Sequence, residues 1–264
     1  MQEFLIYIPM GALAGLQAGL LGVGGGLIIV PVLLFTFSLQ NFETDFATHM
    51  AVGTSLATIC VTSISSTLAH RKYGNIHWST FKAMAPAVMF GVWLGVQTAL
   101  SLSGKTLQLL IATFAMLVAM KMALGFNPHP GKQIPGKAGL MGAGAVIGWV
   151  SSIFGIGGGT LTVPFLRWAN QSMQHAVGVS TAIGMPIAFV GAATNIWEGM
   201  HITDLPEGAI GYVYLPAFLG IVSTSAIFAK IGAKLASTIS EKALQWSFIG
   251  FLVLVSLSLF VRNV

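Results

Sequence analysis

A chain of 264 residues that is 55% hydrophobic and only 7% charged lies far from the roughly 25% charge of a soluble domain. Its mean hydropathy of +0.84 makes it a polytopic helical membrane protein, which removes nucleic-acid binding as the meaning of its +5 net charge, since Lys and Arg here report which loops stay in the cytoplasm. The single cysteine, Cys60, excludes an internal disulfide and a thiolate metal site.

The N-terminal stretch "MQEFLIYIPMGALAG" has no basic region and carries Glu3, so it does not read as a cleaved signal peptide. The first apolar segment, A, runs from about Phe4 to Ser38 and is broken at Gly24, Gly25 and Gly26 within "GLLGVGGGLIIVPVLL". Three glycines cost a helix about 1 kcal/mol each relative to alanine. The arm from Leu27 to Ser38 reaches only about 18 Å at 1.5 Å per residue, short of the roughly 30 Å hydrocarbon core. A hairpin or broken helix fits better than one crossing. Segments B (about Phe46 to His70), C (about Ala83 to Leu102) and D (about Leu107 to Gly125) follow. The Gly- and Pro-rich "GFNPHPGKQIPGK" cannot be helix and divides the chain into a first repeat over 1–125, a cytoplasmic linker over 126–137 and a second repeat over 138–264.

The second repeat copies the first. "LGVGGGLIIVPVL" aligns with "FGIGGGTLTVPFL", and "HMAVGTSLA" with "QHAVGVSTA". Its A segment covers about Ala138 to Trp168, broken at Gly157, Gly158 and Gly159. Its B covers His175 to Trp197, its C about Ala209 to Lys230 and its D about Ala243 to Val261. If each A enters the bilayer and returns, or crosses twice, the copies are inverted. Ten of the twelve basic residues then share one side, leaving Lys105 and Arg262 on the other. A single crossing gives seven against five. The positive-inside rule favours inversion. The expected fold is therefore all-α and polytopic, with two inverted repeats. Each is a Gly-broken, re-entrant segment plus three transmembrane helices, with both termini outside.

Gly-interrupted segments at matching positions of inverted repeats point to a secondary transporter's binding site. Glycines leave backbone N–H groups approachable, and the half-helices that follow present positive dipole ends to an anion. One such end contributes about 0.3–2 kcal/mol, while desolvating an ion costs several kcal/mol, so other donors must converge. The candidates are the backbone of Gly24, Gly25, Gly26, Gly157, Gly158 and Gly159, with Thr54, Ser55, Ser180, Thr181, Asn195, His175 and Arg167. Thr54, Thr58 and Thr62 make one helical stripe, Gln17 precedes the first glycine step, and Ser151 and Ser152 precede the second. Each has a plainer reading. The stripe can satisfy its own helix carbonyls, His175 can be interfacial, Arg167 can anchor topology, and the steps can serve close packing. Glycines four apart, as in Gly11–Gly15–Gly19, Gly91–Gly95 and Gly144–Gly148, read as packing positions. No Asp or Glu lies deep in an apolar segment, which favours an anion over a cation as substrate. "GVGGGL" is not a dinucleotide fingerprint, and no ATP loop, paired metal-ligand spacing or membrane-embedded Ser-His-Asp set occurs. Neither an enzyme, a cofactor nor a metal is expected.

The paired "GLLGVGGGLIIVP" and "SSIFGIGGGTLTVP", the repeated "AVGTS" and "AVGVST", and the "RKYGNIHW" loop resemble the TauE/SafE family of membrane permeases over essentially the whole chain. Its motif positions fall on Gly22, Gly24, Gly25, Gly26, Pro31, Gly155, Gly157, Gly158, Gly159 and Pro164. The resemblance implies transport of small sulfur-containing anions, sulfite and organosulfonates such as sulfoacetate, across the inner membrane, with members assigned both to export and to uptake; export of sulfite or an organosulfonate is the expectation here. The alternatives are uptake of thiosulfate or sulfonate, or a passive anion channel. The partners implied are that anion and the lipid bilayer.

Overall fold

The computed structural model describes residues 2–21, 26–42, 44–124, 134–236 and 241–263. Gly22, Gly24, Gly25 and the linker residues 125–133 lie outside them. The chain runs through α1 (Gln2–Leu21), α2 (Gly26–Leu39), α3 (Thr44–Lys72), α4 (Trp78–Leu100) and α5 (Gly104–Ala123). It continues with α6 (Lys137–Ile153), α7 (Gly159–Trp168), α8 (Met173–Gly199), a β1 (Ala209–Ile210) and β2 (Val213–Tyr214) hairpin, α9 (Leu215–Ala236) and α10 (Glu241–Asn263). Each broken A segment is a pair of helices, α1–α2 and α6–α7. The arms after the glycines have 14 and 10 residues. Among the described residues, Phe46–Lys72, Trp78–Leu100, Gly104–Ala123 and Met173–Gly199 are long and apolar enough to cross a membrane.

Local chemistry sets several boundaries. Ser103 and Ser172 cap α5 and α8, accepting from the N–H groups of Thr106 and His175, as an N-cap serine should. One sequence expectation needs correction. Segment C of the second repeat does not start as helix at Ala209, because residues 209–214 form the hairpin, with Ala209 opposite Tyr214 and Ile210 opposite Val213. Gly208 (φ +89°) and Gly211 (φ +53°) are left-handed. That conformation suits glycine and interrupts a helix. An apolar run alone does not reveal it.

Four pairings organise the bundle: α1 with α9, α4 with α6, α3 with α8, and α5 with α10. Exchanging the first five helices with the last five maps this set onto itself. The spaced glycines decide the close pairs. A Cβ on Gly11 or Gly15 would strike α9 backbone at Ile221 and Ser225, and one on Gly91 or Gly148 would strike Ala145 or Val88 backbone. These positions exist so that backbones can touch. The same contacts give direction. Gly53 meets Asn195, Leu56 meets Gly191 and Ser63 meets Gly184, so α3 and α8 run antiparallel. By the same reading α1 is parallel to α9 and α4 to α6. Arms α2 and α7 pack on α3 and α8 respectively. The arms that follow the two glycine steps thus pack on the two helices of the central pair.

Candidate functional site

The second step is a tight, buried turn. Helix α6 ends at Ile153, and the Ile156 N–H donates back to Ser151 O at 2.9 Å. Gly155 turns the chain with φ +62°, and its carbonyl accepts the Ser55 hydroxyl of α3 at 2.7 Å. The α7 ladder opens with Thr162 N–H to Gly158 O at 2.9 Å. The N–H groups of Gly159, Thr160 and Leu161 therefore stand ahead of the ladder, as in any helix start.

The first step lies directly against it. A Cβ on Gly26, the first residue of α2, would come within 2.8 Å of Ile156 Cα, 3.0 Å of Gly157 N and 3.1 Å of Gly155 O. Gly158 is flush against α8, 2.6 Å from Ser180 O and 3.2 Å from Gly184 N by the same measure. Gly157 has space, with Ile59 Cγ2 at 3.5 Å. One locus therefore gathers Gly26, Gly157, Gly158, Gly159, Ser55 and Ser180. Gly24 and Gly25 lie outside the described residues, as does the side chain of Gln17.

The other candidate residues sit apart from this locus. Thr54 Oγ1 accepts the Tyr214 N–H at 2.9 Å, and Asn195 O accepts the Tyr212 N–H at 3.1 Å, so both hold the hairpin. The Asn195 amide donates to Gly191 O at 2.8 Å. Thr181 donates to Gly178 O, Thr58 to Ser55 O and Thr62 to Ile59 O, the back-bonding usual for hydroxyls in membrane helices. Arg167 donates to Gln171 O at 3.0 Å at the end of α7, about 12 Å along the helix from Gly159. His175 shares a 3.0 Å hydrogen bond with Ser172 and stacks on His77 with ring centroids 3.9 Å apart.

Sequence reasoning missed the two loops that close the ends of the central pair. The hairpin seats Tyr212 O on Gly53 of α3, while Asn75 of the α3–α4 loop seats on Gly178 of α8. These are equivalent glycines of the repeated "AVG", and that repeat was the available signal. At the hairpin end Tyr7, Phe37, Phe42 and Tyr214 form an aromatic cluster with centroids 5.1–6.4 Å apart. Burial, and then the negative charge of Glu198, hold the Tyr212 phenol above its usual pKa. A cavity of about 180 Å³ opens beside it, lined by Phe42, Phe46, Ala47, Met50, Asp204 and Pro206. At the glycine steps the void among Gly26, Pro31, Phe114, Phe154 and Ile156 is only about 10 Å³, room for about one water. Gly26 and the second step are packed against each other here. Among the described residues no group of three or more His, Cys, Asp or Glu could hold a metal ion.

Residues 7–259 match the family described as "Sulfite exporter TauE/SafE". The chain belongs to the TauE/SafE family. Three curated relatives match 92–99% of it. A "Probable membrane transporter protein" of Haemophilus influenzae is 35% identical over 260 residues, covering 98% of each chain. "Probable membrane transporter protein MJ0441" of Methanocaldococcus jannaschii is 29% identical, covering 92% of this chain and 91% of its own. YunE of Bacillus subtilis, also a "Probable membrane transporter protein", is 26% identical over 99% of both. No solved structure matches this TauE/SafE chain. Family and helices together make it a multi-pass protein of a membrane-transporter family.

Proposed function

We propose that this TauE/SafE chain is an inner-membrane secondary transporter that exports sulfite or an organosulfonate such as sulfoacetate. Its site lies between the two glycine steps. The observation that carries the reading is the direct apposition of Gly26 with Ile156 and Gly157. It sets the start of α2 beside the turn that opens α7, so two helix N-termini serve one locus. Neither glycine-step stretch, 19–34 or 151–166, contains an Asp or Glu, and the acidic Asp204 and Glu207 sit in the α8–α9 connection. A small anion is the solute this environment accepts.

The antiparallel crossing of α3 and α8, and a pairing pattern unchanged by exchange of the two halves, support inverted repeats over 1–125 and 138–264. That architecture suits alternating access, with one half moving against the other. Counterflow in proteoliposomes tests this. Internal sulfite should accelerate uptake of labelled external sulfite several-fold over empty vesicles. No trans-stimulation with sulfite, thiosulfate or sulfoacetate would overturn the carrier reading.

A further inference from the structure

Most buried hydroxyls in this protein are spoken for. Thr36 donates to Val32 O, Ser55 to Gly155 O, Thr58 to Ser55 O, and Ser152 to Val92 O. Among the described residues only five buried side-chain polar atoms have no partner: Gln40 Nε2, Thr67 Oγ1, Ser151 Oγ, Thr162 Oγ1 and Ser256 Oγ. Two of the five, Ser151 and Thr162, bracket the second glycine step, and both are fully buried.

Their surroundings make the vacancy chemically specific. Ser151 O accepts the Ile156 N–H and so closes the turn, which holds Ser151 against the step. Thr162 starts the α7 ladder by donating its N–H to Gly158 O. Helical side chains lean toward the N-terminus, so the Thr162 hydroxyl is carried back toward Gly158 and Gly159. A threonine there ordinarily returns its hydroxyl to a carbonyl of the preceding turn. Thr162 does not. An unpaired buried hydroxyl is costly, and these two lie on either side, in sequence, of the turn that leads into the α7 N–H groups. All of these groups donate hydrogen bonds, so the complementary ligand is a compact acceptor with several oxygens.

We propose that Ser151 and Thr162 are substrate-binding residues, whose hydroxyls donate to the oxygens of a small sulfur oxyanion while the α7 N–H groups receive its charge. This rests on the glycine-step reading above and adds side chains to it. It also sets specificity. Hydroxyl donors spread across the site suit the separated oxygens of sulfite and sulfonate alike, whereas a halide requires the same donors to converge on one atom.

The test is equilibrium binding of labelled sulfite to the detergent-purified full chain, with melting temperature measured without ligand. Thr162→Val keeps the shape and removes the hydroxyl. Thr162→Ser keeps the hydroxyl, Ser151→Ala removes the other, and Gly157→Ala probes the backbone. Thr162→Val and Ser151→Ala should each weaken binding about tenfold, the scale of a lost hydrogen bond to a charged group, and Thr162→Ser should restore it. Without ligand Thr162→Val should melt no lower than wild type, because it removes an unsatisfied group. A purely structural threonine would lower the melting temperature instead. Wild-type affinity in Thr162→Val and Ser151→Ala, with binding lost in Gly157→Ala, would overturn the hydroxyl assignment and leave the glycine site standing. Unchanged affinity in all three, or no binding of sulfite by wild type, would overturn both.

Discussion

At Gly157 and Gly158 two adjacent, chemically identical residues have opposite tolerances. A Cβ at Gly157 meets only the Ile59 side chain at ordinary contact distance, while one at Gly158 runs into α8 backbone. Gly157→Ala should therefore fold normally, with a melting temperature close to wild type, and lose at least tenfold in sulfite flux because a methyl group covers the exposed amides. Gly158→Leu should fail to give a monodisperse peak on size-exclusion chromatography, since the obstacle is main chain and overpacking costs about 1–3 kcal/mol or more. The packing of Gly158 against Ser180 O makes a leucine there a folding defect rather than a test of the site. Ser55 illustrates the same limit. Its hydroxyl appeared as a candidate ligand, yet in this conformation it holds Gly155 O. Ser55→Ala strands that buried carbonyl and should cost about 1–3 kcal/mol, read as a lower melting temperature in detergent. The sequence displays which hydroxyls exist. Only coordinates tell which are already engaged, and so Thr162, in the middle of "TLTVP", had no mark of its own.

At the level of elements, the broken A segments were legible because glycine and chain length are arithmetic: a triple glycine stops a helix, and fourteen residues do not cross a bilayer. The glycines four apart were legible for the same reason, and they meet the backbones of α4, α6 and α9 as their spacing implies. The β1–β2 hairpin was hidden. Two apolar residues, a glycine and three more apolar residues have the composition of a helix start, and the decisive facts are the positive φ of Gly211 and the seat offered by Gly53. The hairpin is joined to both central helices, through Tyr214 N–H on Thr54 and Tyr212 N–H on Asn195 O. Thr54→Val removes one acceptor. We expect hydrogen exchange at Tyr214 to accelerate about tenfold or more, consistent with loss of roughly 1–3 kcal/mol of local stability. Exchange around Gly178, about 25 Å along α8 from Asn195, should not change.

For the whole molecule, charge counting and helix crossing bear on the proposed inversion from independent premises. The Lys and Arg distribution favours inverted copies without reference to packing, and the antiparallel contact of α3 with α8 comes from packing without reference to charge. Single-cysteine variants of Cys60→Ser carrying a reporter at Tyr73 or at Thr203 should label from opposite faces of sealed vesicles. Labelling from one face would break the inversion. The central claim is that the second glycine turn and the start of α2 at Gly26 part to hold a sulfur oxyanion between them. Anomalous diffraction from crystals grown with selenite, a heavier pyramidal analogue of sulfite, tests it most directly. The account expects a selenium peak within hydrogen-bonding reach of the Gly157–Gly159 amides and beside Gly26. A peak confined to the cavity of Phe42, Phe46 and Asp204, with none at the glycine turns, would contradict it.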